Sequence, residues 1–570
     1  MRRAYGLLAP AIPCFLLLGA LFLVHALARA PAGDREVYSG SSHWLQTQQS
    51  SQAYVTLLYG DEFALGVRVL GKSLRDTGTT KDIVALVSQG VSDHVIHLLQ
   101  ADGWIIERIE LLANPNSKRP KRFWGVYTKL KVFNMTNYRK VVYLDADTVV
   151  TKSIDDLFLC EKFCANLKHS ERLNSGVMVV EPSKELFDDM MTKVNTLPSY
   201  TGGDQGFLNS YYADFPNAHL FNPDLSEEER RSRPLPAMER LSTLYNADVG
   251  LYMLANKWMV DEAELRVIHY TLGPLKPWDW WTAWLLEPVR YWQDVRVTLE
   301  DSLPGTGGGQ DPHTQLFVWV LIAGPLLVSL FLCRHCFFQV QQSLFSSGFL
   351  FGFTRHIGHK HRGGSSLPYF SAMNGSPPQA LHSQYTNGST GLSSHLLKVP
   401  SCLGSLSIGA CFLCAGVSFG VAMFLIPRQV MPSTGLFLVY EWTFFLFALL
   451  FGWFLEAMSM WGRSLGSSIT GTVALHYDSK KGNTKYSSSF DSHTALYCVG
   501  MACLAVLVPC LPFFFGVTAL FSRLGMVIGG AMVLVIGTTY MSEHLAVSWF
   551  LRGRESGSQA RGISDSADRL

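Results

Sequence analysis

Five apolar stretches crowd the second half of this chain, at 316–338, 403–426, 436–460, 495–517 and 525–547. Each is about the ~20 residues that a helix needs to cross the hydrocarbon of a bilayer. Any one of them could be a buried core helix. Five in one half, with little polar sequence between them, point instead to a membrane domain at 316–548. A further apolar run, 7–28, follows Arg2 and Arg3. Residues 1–28 therefore read as a signal anchor or as a cleaved signal peptide, since Ala26-Leu27-Ala28 would suit a peptidase.

The charge bias around these stretches sets an orientation. With the N-terminus in the cytosol and 29–315 in the lumen, the later loops alternate sides. The cytosolic pieces 339–402, 461–494 and 548–570 then carry twelve Lys and Arg, and the luminal loops 427–435 and 518–524 carry two, Arg428 and Arg523. That asymmetry follows the rule that basic residues stay on the cytosolic side. The segment 363–395, rich in Gly, Ser and Asn, reads as a flexible part of the loop 339–402, and 549–570 as a cytosolic tail. Asn134, Asn374 and Asn387 begin glycosylation sequons, the last two on the cytosolic side. Asn134 falls in a helix-like run, where access is expected to be poor.

A net charge of +2 across 570 residues gives no broad basic field, so nucleic acid is not an expected partner. Of the eleven cysteines, only Cys160 and Cys164 fall in the luminal part, where an oxidising compartment permits them to pair. Cys333-x-x-Cys336 and Cys411-x-x-Cys414 lie in or at the ends of apolar stretches and read as small packing residues.

The luminal part alternates strand and helix patterns. Strands are expected at 53–59, 83–88 and 105–109, with helices at 63–76 and 91–102 between them. This βαβαβ order implies a parallel sheet of the nucleotide-binding type. A helix at 127–135 should feed the strand Val141-Val142-Tyr143-Leu144. Directly after that strand stands Asp145-Ala146-Asp147. Two carboxylates at a strand end can share one hard divalent cation, and that cation can hold a diphosphate. Asn174-Ser175-Gly176-Val177 reads as a polar turn entering a strand. Gly202-Gly203-Asp204-Gln205-Gly206 presents an acid and an amide at a helix start, with Asp204 as a plain helix cap the simplest account. Leu244-Tyr245-Asn246-Ala247-Asp248 follows, and then His269 ahead of Gly273, Lys276, Pro277 and Trp278. Trp278, Trp280, Trp281 and Trp284 read as packing residues more readily than as sugar platforms. Lys118-Arg119-Pro120-Lys121-Arg122 reads as a solvated face or as a partner for an anionic donor.

In combination, and in this order, these motifs resemble those of glycosyltransferase family 8, the glycogenin-like retaining transferases, over residues 50–295. Val55-Thr56-Leu57, Val69-Leu70-Gly71-Lys72-Ser73-Leu74 and Thr128-Lys129-Leu130 complete the set. The resemblance implies an α/β GT-A fold, Rossmann-like and nucleotide-sugar-binding, as a luminal domain joined by the linker 296–315 to an α-helical multispan membrane domain. It implies Mn²⁺ held by Asp145, Asp147 and His269. Thr56, Leu57 and Tyr59 would line a uridine pocket, with Ala146 and Ser175 beside the donor. Gly273 and Lys276 would hold the diphosphate. Lys129, Asn174, Asp204 and Gln205 would position the donor sugar, with Asp204 or Gln205 nearest the anomeric carbon. Lys276 stands seven residues after His269, one more than the glycogenin spacing.

The membrane half resembles a narrower plant group within that family, transferases of glucuronic acid from UDP-glucuronate to inositol phosphorylceramide, a membrane sphingolipid, in the Golgi. A membrane-embedded acceptor gives five spans a purpose that a polysaccharide acceptor such as xylan, or a glucan primer, would not. A transporter with a sugar-binding domain, or an inactive scaffold, would not need every motif acid in place.

Overall fold

The computed structural model describes residues 51–114, 125–302, 313–328, 331, 399–473 and 492–567. The apolar run 7–28, the basic cluster 118–122, Cys333, Cys336 and the sequons at Asn374 and Asn387 lie outside the described residues.

Eleven strands, among the described residues, build two sheets. They are β1 (Gln52–Leu58), β2 (Asp82–Val87), β3 (Ile105–Arg108), β4 (Lys140–Leu144), β5 (Thr148–Val150), β6 (Phe163–Leu167), β7 (Leu173–Val180), β8 (His219–Leu220), β9 (Glu239–Leu241), β10 (Ala247–Asp248) and β11 (Val267–His269). The large sheet runs β3-β2-β1-β4-β7-β6-β9-β8, and the small one β10-β11-β5. In the large sheet β3, β2, β1 and β4 are parallel, and β7 is antiparallel to β4. The expected βαβαβ unit is present, with helix α1 at Ala64–Asp76 and α2 at Asp93–Ala101. The stripe Val67, Leu70 and Leu74 of α1 is buried on the sheet, each side chain contributing about 1.5–3 kcal/mol. β1 and β4 are apolar on nearly every position because helices and turns cover both faces, the pattern of a doubly covered parallel sheet.

Two local expectations are corrected. The helix expected before β4 is present, as a 3-10 helix at Val126–Asn134. Tyr127, Thr128, Lys129 and Leu130 are all buried. Asn134 at its end is exposed, so its sequon is accessible. The Asn174 motif is not a turn but lies inside β7. Pairing of β6 with β7 jumps from Ala165↔Met178 to Asn166↔Asn174, an irregularity that re-aims the side chains between them. Cys160 and Cys164 form a disulfide.

In the second half, three helices contain stretches long and apolar enough to cross a membrane, Cys402–Leu425, Pro432–Ser467 and Leu520–Ser558. Shorter apolar helical stretches, His313–Val328 and Val499–Phe514, fall at the other two expected spans, of which the structure describes 316–338 only in part. With α3 (Asp204–Tyr211) and α4 (Val289–Ser302) earlier in the chain, the long ones belong to α5 (Cys402–Leu425), α6 (Pro432–Val473) and α8 (Leu520–Ala567), and α7 (Ser492–Phe514) lies between the last two. Packing of α6 on α8 uses glycines four apart on both helices. A Cβ at Gly462 would collide with Phe550 O, and one at Gly466 with Arg554 O. Reciprocally, Gly553 faces Ser459 O and Gly557 faces Arg463 O. This small-xxx-small pattern lets the two backbones approach closely. Gly466→Leu should separate the helices. The expected result is a clear fall in the melting temperature of the detergent-solubilised chain. Gly409→Leu, whose Cβ would meet nothing within 4 Å, should leave it unchanged.

Candidate active site

The carboxyl ends of β1 and β4 open at the point where the large sheet changes from parallel to antiparallel, the place where α/β sheets bind ligands. Asp145 N–H donates to Gly176 O of β7 at 2.8 Å, and Thr148 N–H to Asp145 O at 3.0 Å. These bonds fold Asp145, Ala146 and Asp147 into a tight turn between β4 and β5, with both acids half-buried at the crevice. The small sheet then delivers a third group. Antiparallel pairing sets His269 of β11 opposite Thr148 of β5, and Tyr270 N–H donates to Asp147 O at 3.0 Å. His269 Nε2 lies 3.3 Å from Asp147 Oδ1 and 3.8 Å from Asp145 Oδ2. Gly176 makes room for the ring, since a Cβ there would collide with His269 Cε1.

The orientation of the His269 ring follows from a chain of donors. Gly176 N–H can only donate, so the Asn174 atom 2.8 Å away is its carbonyl Oδ1. That oxygen also accepts from Asn246 Nδ2 at 3.0 Å. Asn246 therefore turns its Oδ1 to His269 Nδ1, 2.9 Å away. Nδ1 carries a proton, and Nε2 is the ring nitrogen that faces the two carboxylates. Two carboxylate oxygens and an imidazole nitrogen, within 4.8 Å of one another, make a donor set that suits a divalent first-row cation. Asn246 supplies the outer hydrogen bond that usually orients a ligating histidine. Its motif stood out in the sequence, but nothing in the spacing linked it to His269.

Lys129 sits among the acids. Its Nζ is 2.9 Å from Asp145 Oδ1 and 3.1 Å from Asp204 Oδ2, and it reaches Ser175 O and Oγ at 3.3 Å. Burial by itself would lower the ammonium's pKa, but Asp145 and Asp204 outweigh it and hold the pKa above the ordinary lysine value. Ser175 Oγ donates to Asp204 Oδ2 at 2.8 Å. Tyr143 O–H donates to Asp145 Oδ1 at 2.9 Å. Asp204 is thus no mere cap: Gly203 caps helix α3, and the Asp204 side chain points into the ion-pair cluster. Lys276 Nζ lies 2.6 Å from Asp147 Oδ2. Burial would raise the Asp147 carboxyl, yet His269 and Lys276 hold it well below the usual carboxylate range. The extra residue before Lys276 is absorbed in a turn where Gly273 has φ 62°, a conformation that favours glycine.

Known relatives place the chain in a family. The model of glycosyl transferase family 8 matches residues 56–163. Inositol phosphorylceramide glucuronosyltransferase 1 of Arabidopsis thaliana is 57% identical over 509 residues, 89% of this chain and 93% of that protein. The chain belongs to glycosyltransferase family 8. UDP-glucuronate:xylan alpha-glucuronosyltransferase 1 of the same plant is 34% identical over 162 residues, covering 28% of this chain and 25% of its own length. Among solved structures, the galactosyltransferase LgtC with donor and acceptor sugar analogs is 17% identical, with a TM-score of 0.33 over 45% of this chain and 100% of that one.

In this family 8 glycosyltransferase the remaining expected residues fall at the same crevice, with Gln205 as the exception. Thr56 and Leu57 end β1, buried, and the Thr56 hydroxyl has no hydrogen-bond partner among the described residues. Tyr59 follows, half-buried against Phe63. Burial and neighbouring acids, Glu62 first, push its phenol up to about 12. Gln205 does not join the Lys129 cluster, because the helix start turns it outward; its Nε2 donates to Tyr200 Oη at 3.1 Å. Trp278 packs in the core against Phe63 and Trp292. The other three tryptophans turn toward the membrane helices: Trp280 against Gly435, Trp281 under Arg428, and Trp284 with its Nε1–H on Pro509 O. Replacing Asn246 with Ala should free the His269 ring and weaken divalent-cation binding about 10–100-fold. A Mn²⁺ titration followed by electron paramagnetic resonance reads this directly, and an unchanged affinity would mean that Asn246 does not set the ring.

Proposed function

We propose that this glycosyltransferase moves glucuronic acid from UDP-glucuronate to inositol phosphorylceramide, with the anomeric configuration retained, at the luminal face of the Golgi membrane. The observation that carries the reading is the 57% identity to inositol phosphorylceramide glucuronosyltransferase 1, which runs through both the catalytic and the membrane halves. The xylan glucuronosyltransferase, in contrast, matches over only 28% of this chain.

Asp145, Asp147 and His269 are our ligands for Mn²⁺, with Nε2 of His269 turned to the two carboxylates as the decisive fit. When bound there, the cation neutralises charge on the departing diphosphate. Every other role belongs to the chain itself. Lys276, beside Asp147, offers an ammonium to the diphosphate as a point charge. Thr56 and Leu57, at the end of β1, back the uracil side of the crevice, with Tyr59 as an aromatic wall. Asn174 is held by Gly176 and Asn246, so in this reading it orients the donor sugar through its neighbours. Lys129 and Ser175 fix the Asp204 carboxylate, which faces the anomeric carbon and stabilises the positive charge that develops as the sugar–phosphate bond breaks. Gln205, on the outer side of the same helix start, is placed to meet the incoming acceptor. The inositol hydroxyl approaches on the face the diphosphate leaves.

The test is a donor screen in microsomes containing the full chain, with Mn²⁺ and inositol phosphorylceramide, offering UDP-glucuronate, UDP-glucose and UDP-galactose. Glucuronate should appear on the lipid, and Asp147→Ala should lower the rate on the order of 100-fold or more. A lipid product from a different donor would overturn the donor assignment, and donor turnover without a lipid product would overturn the acceptor. Location has its own test. The exposed Asn134 should carry a glycan, so endoglycosidase should shift the wild-type band and leave Asn134→Gln unmoved.

A further inference from the structure

The two basic residues that the charge bias leaves on the luminal side, Arg428 and Arg523, both end on the catalytic domain. Arg428 lies between α5 and α6. Its Nη2 is 2.6 Å from Asp279 Oδ2 and its Nε 3.1 Å from Asp279 Oδ1, a two-pronged pair. The same Nη2 donates to Pro274 O at 3.3 Å, the guanidinium lies over the Trp281 ring, and Arg428 O accepts from Trp280 N–H at 3.0 Å. Asp279 is fully buried, and among the described residues Arg428 is the cation it pairs with.

These contacts fall on the turn segment that carries Lys276. Asp279 Oδ2 also faces Lys276 N–H at 3.4 Å, and Thr282 Oγ1 donates to Lys276 O at 2.9 Å. The segment 271–281 has neither helix nor strand to hold it. A continuous path therefore leads from a loop of the membrane bundle through Asp279 and the Lys276 backbone to the Lys276 ammonium beside Asp147. Arg523 is different. It reaches Glu287 Oε2 and Trp284 O, each at 2.9 Å, and Val517 O at 2.7 Å, so it docks the same domain without touching that segment.

We propose that Arg428 is a positioning residue for donor binding: the membrane bundle, through this one side chain, holds the Lys276 segment in the geometry that accepts the diphosphate. The inference rests on the donor reading given above. A rigid fork on a buried carboxylate fixes direction as well as distance, which a lone ammonium cannot do.

The experiment uses the full chain in native membranes and measures UDP affinity with Mn²⁺ together with donor and acceptor KM. Arg428→Gln should raise the UDP Kd and the donor KM about tenfold, with the acceptor KM little changed. Arg428→Lys should fall between it and wild type. Arg523→Gln, which loosens docking elsewhere, should keep the donor KM within about twofold of wild type. An unaltered donor KM in Arg428→Gln, or an equal rise in Arg523→Gln, overturns the proposal. Failure of the wild type to bind UDP would instead sink the donor reading itself. If Arg428→Gln does not accumulate because Asp279 is left buried and unpaired, the double variant with Asp279→Asn removes that charge, and its donor KM decides the same question.

Discussion

Crowding of like charge is the constraint on which this site depends. Asp145, Asp147 and Asp204 meet at the end of one strand, and three carboxylates so close would repel one another in a partly dry crevice. Lys129 bridges two of them from a buried position, and Lys276 and His269 flank the third. Each close ion pair is worth on the order of 4 kcal/mol before the cost of removing both charges from water. The net gain is smaller, but breaking a pair would leave a buried charge alone. The cluster therefore holds a fixed shape, and that shape leaves Nε2 of His269 and two carboxylate oxygens facing one another.

The fold brings these groups together by two different devices. The large sheet sets Asp145 beside Gly176 through one backbone bond, and the irregular β6–β7 pairing turns Asn174 and Ser175 toward the crevice. The small sheet carries His269 across from a part of the chain far from Asp147 in sequence. Neither device is strong by itself. Together they make the position of His269 a consequence of backbone pairing, with Asn246 and Asn174 passing the direction of one backbone N–H to the imidazole.

The membrane half is docked on this machinery rather than hung from it. Trp280, Trp281 and Trp284 are packing residues, as their sequence suggested, yet what they pack against is the near end of the membrane helices and their loops. Arg428 and Arg523 lie in or beside short loops between the apolar helices, and each meets an acid of the catalytic domain. A loop that contacts that domain must lie on its side of the bilayer.

Much was legible in the residues themselves. Apolar stretches of bilayer length, the βαβαβ alternation and the strand leading into Asp145-Ala146-Asp147 are local patterns, and local periodicity is what a sequence displays directly. The motif residues Lys129, Asp204, His269 and Lys276 could be named because their motifs, in this order, resemble those of family 8. Their partners could not. That Asn174 lies within a strand, that 126–134 winds as a 3-10 helix, that Asn246 sets the His269 ring and that Arg428 grips Asp279 all depend on residues distant in the chain. Such contacts follow from register and packing, where a shift of one residue reverses which side chains meet, so only the tertiary structure decided them.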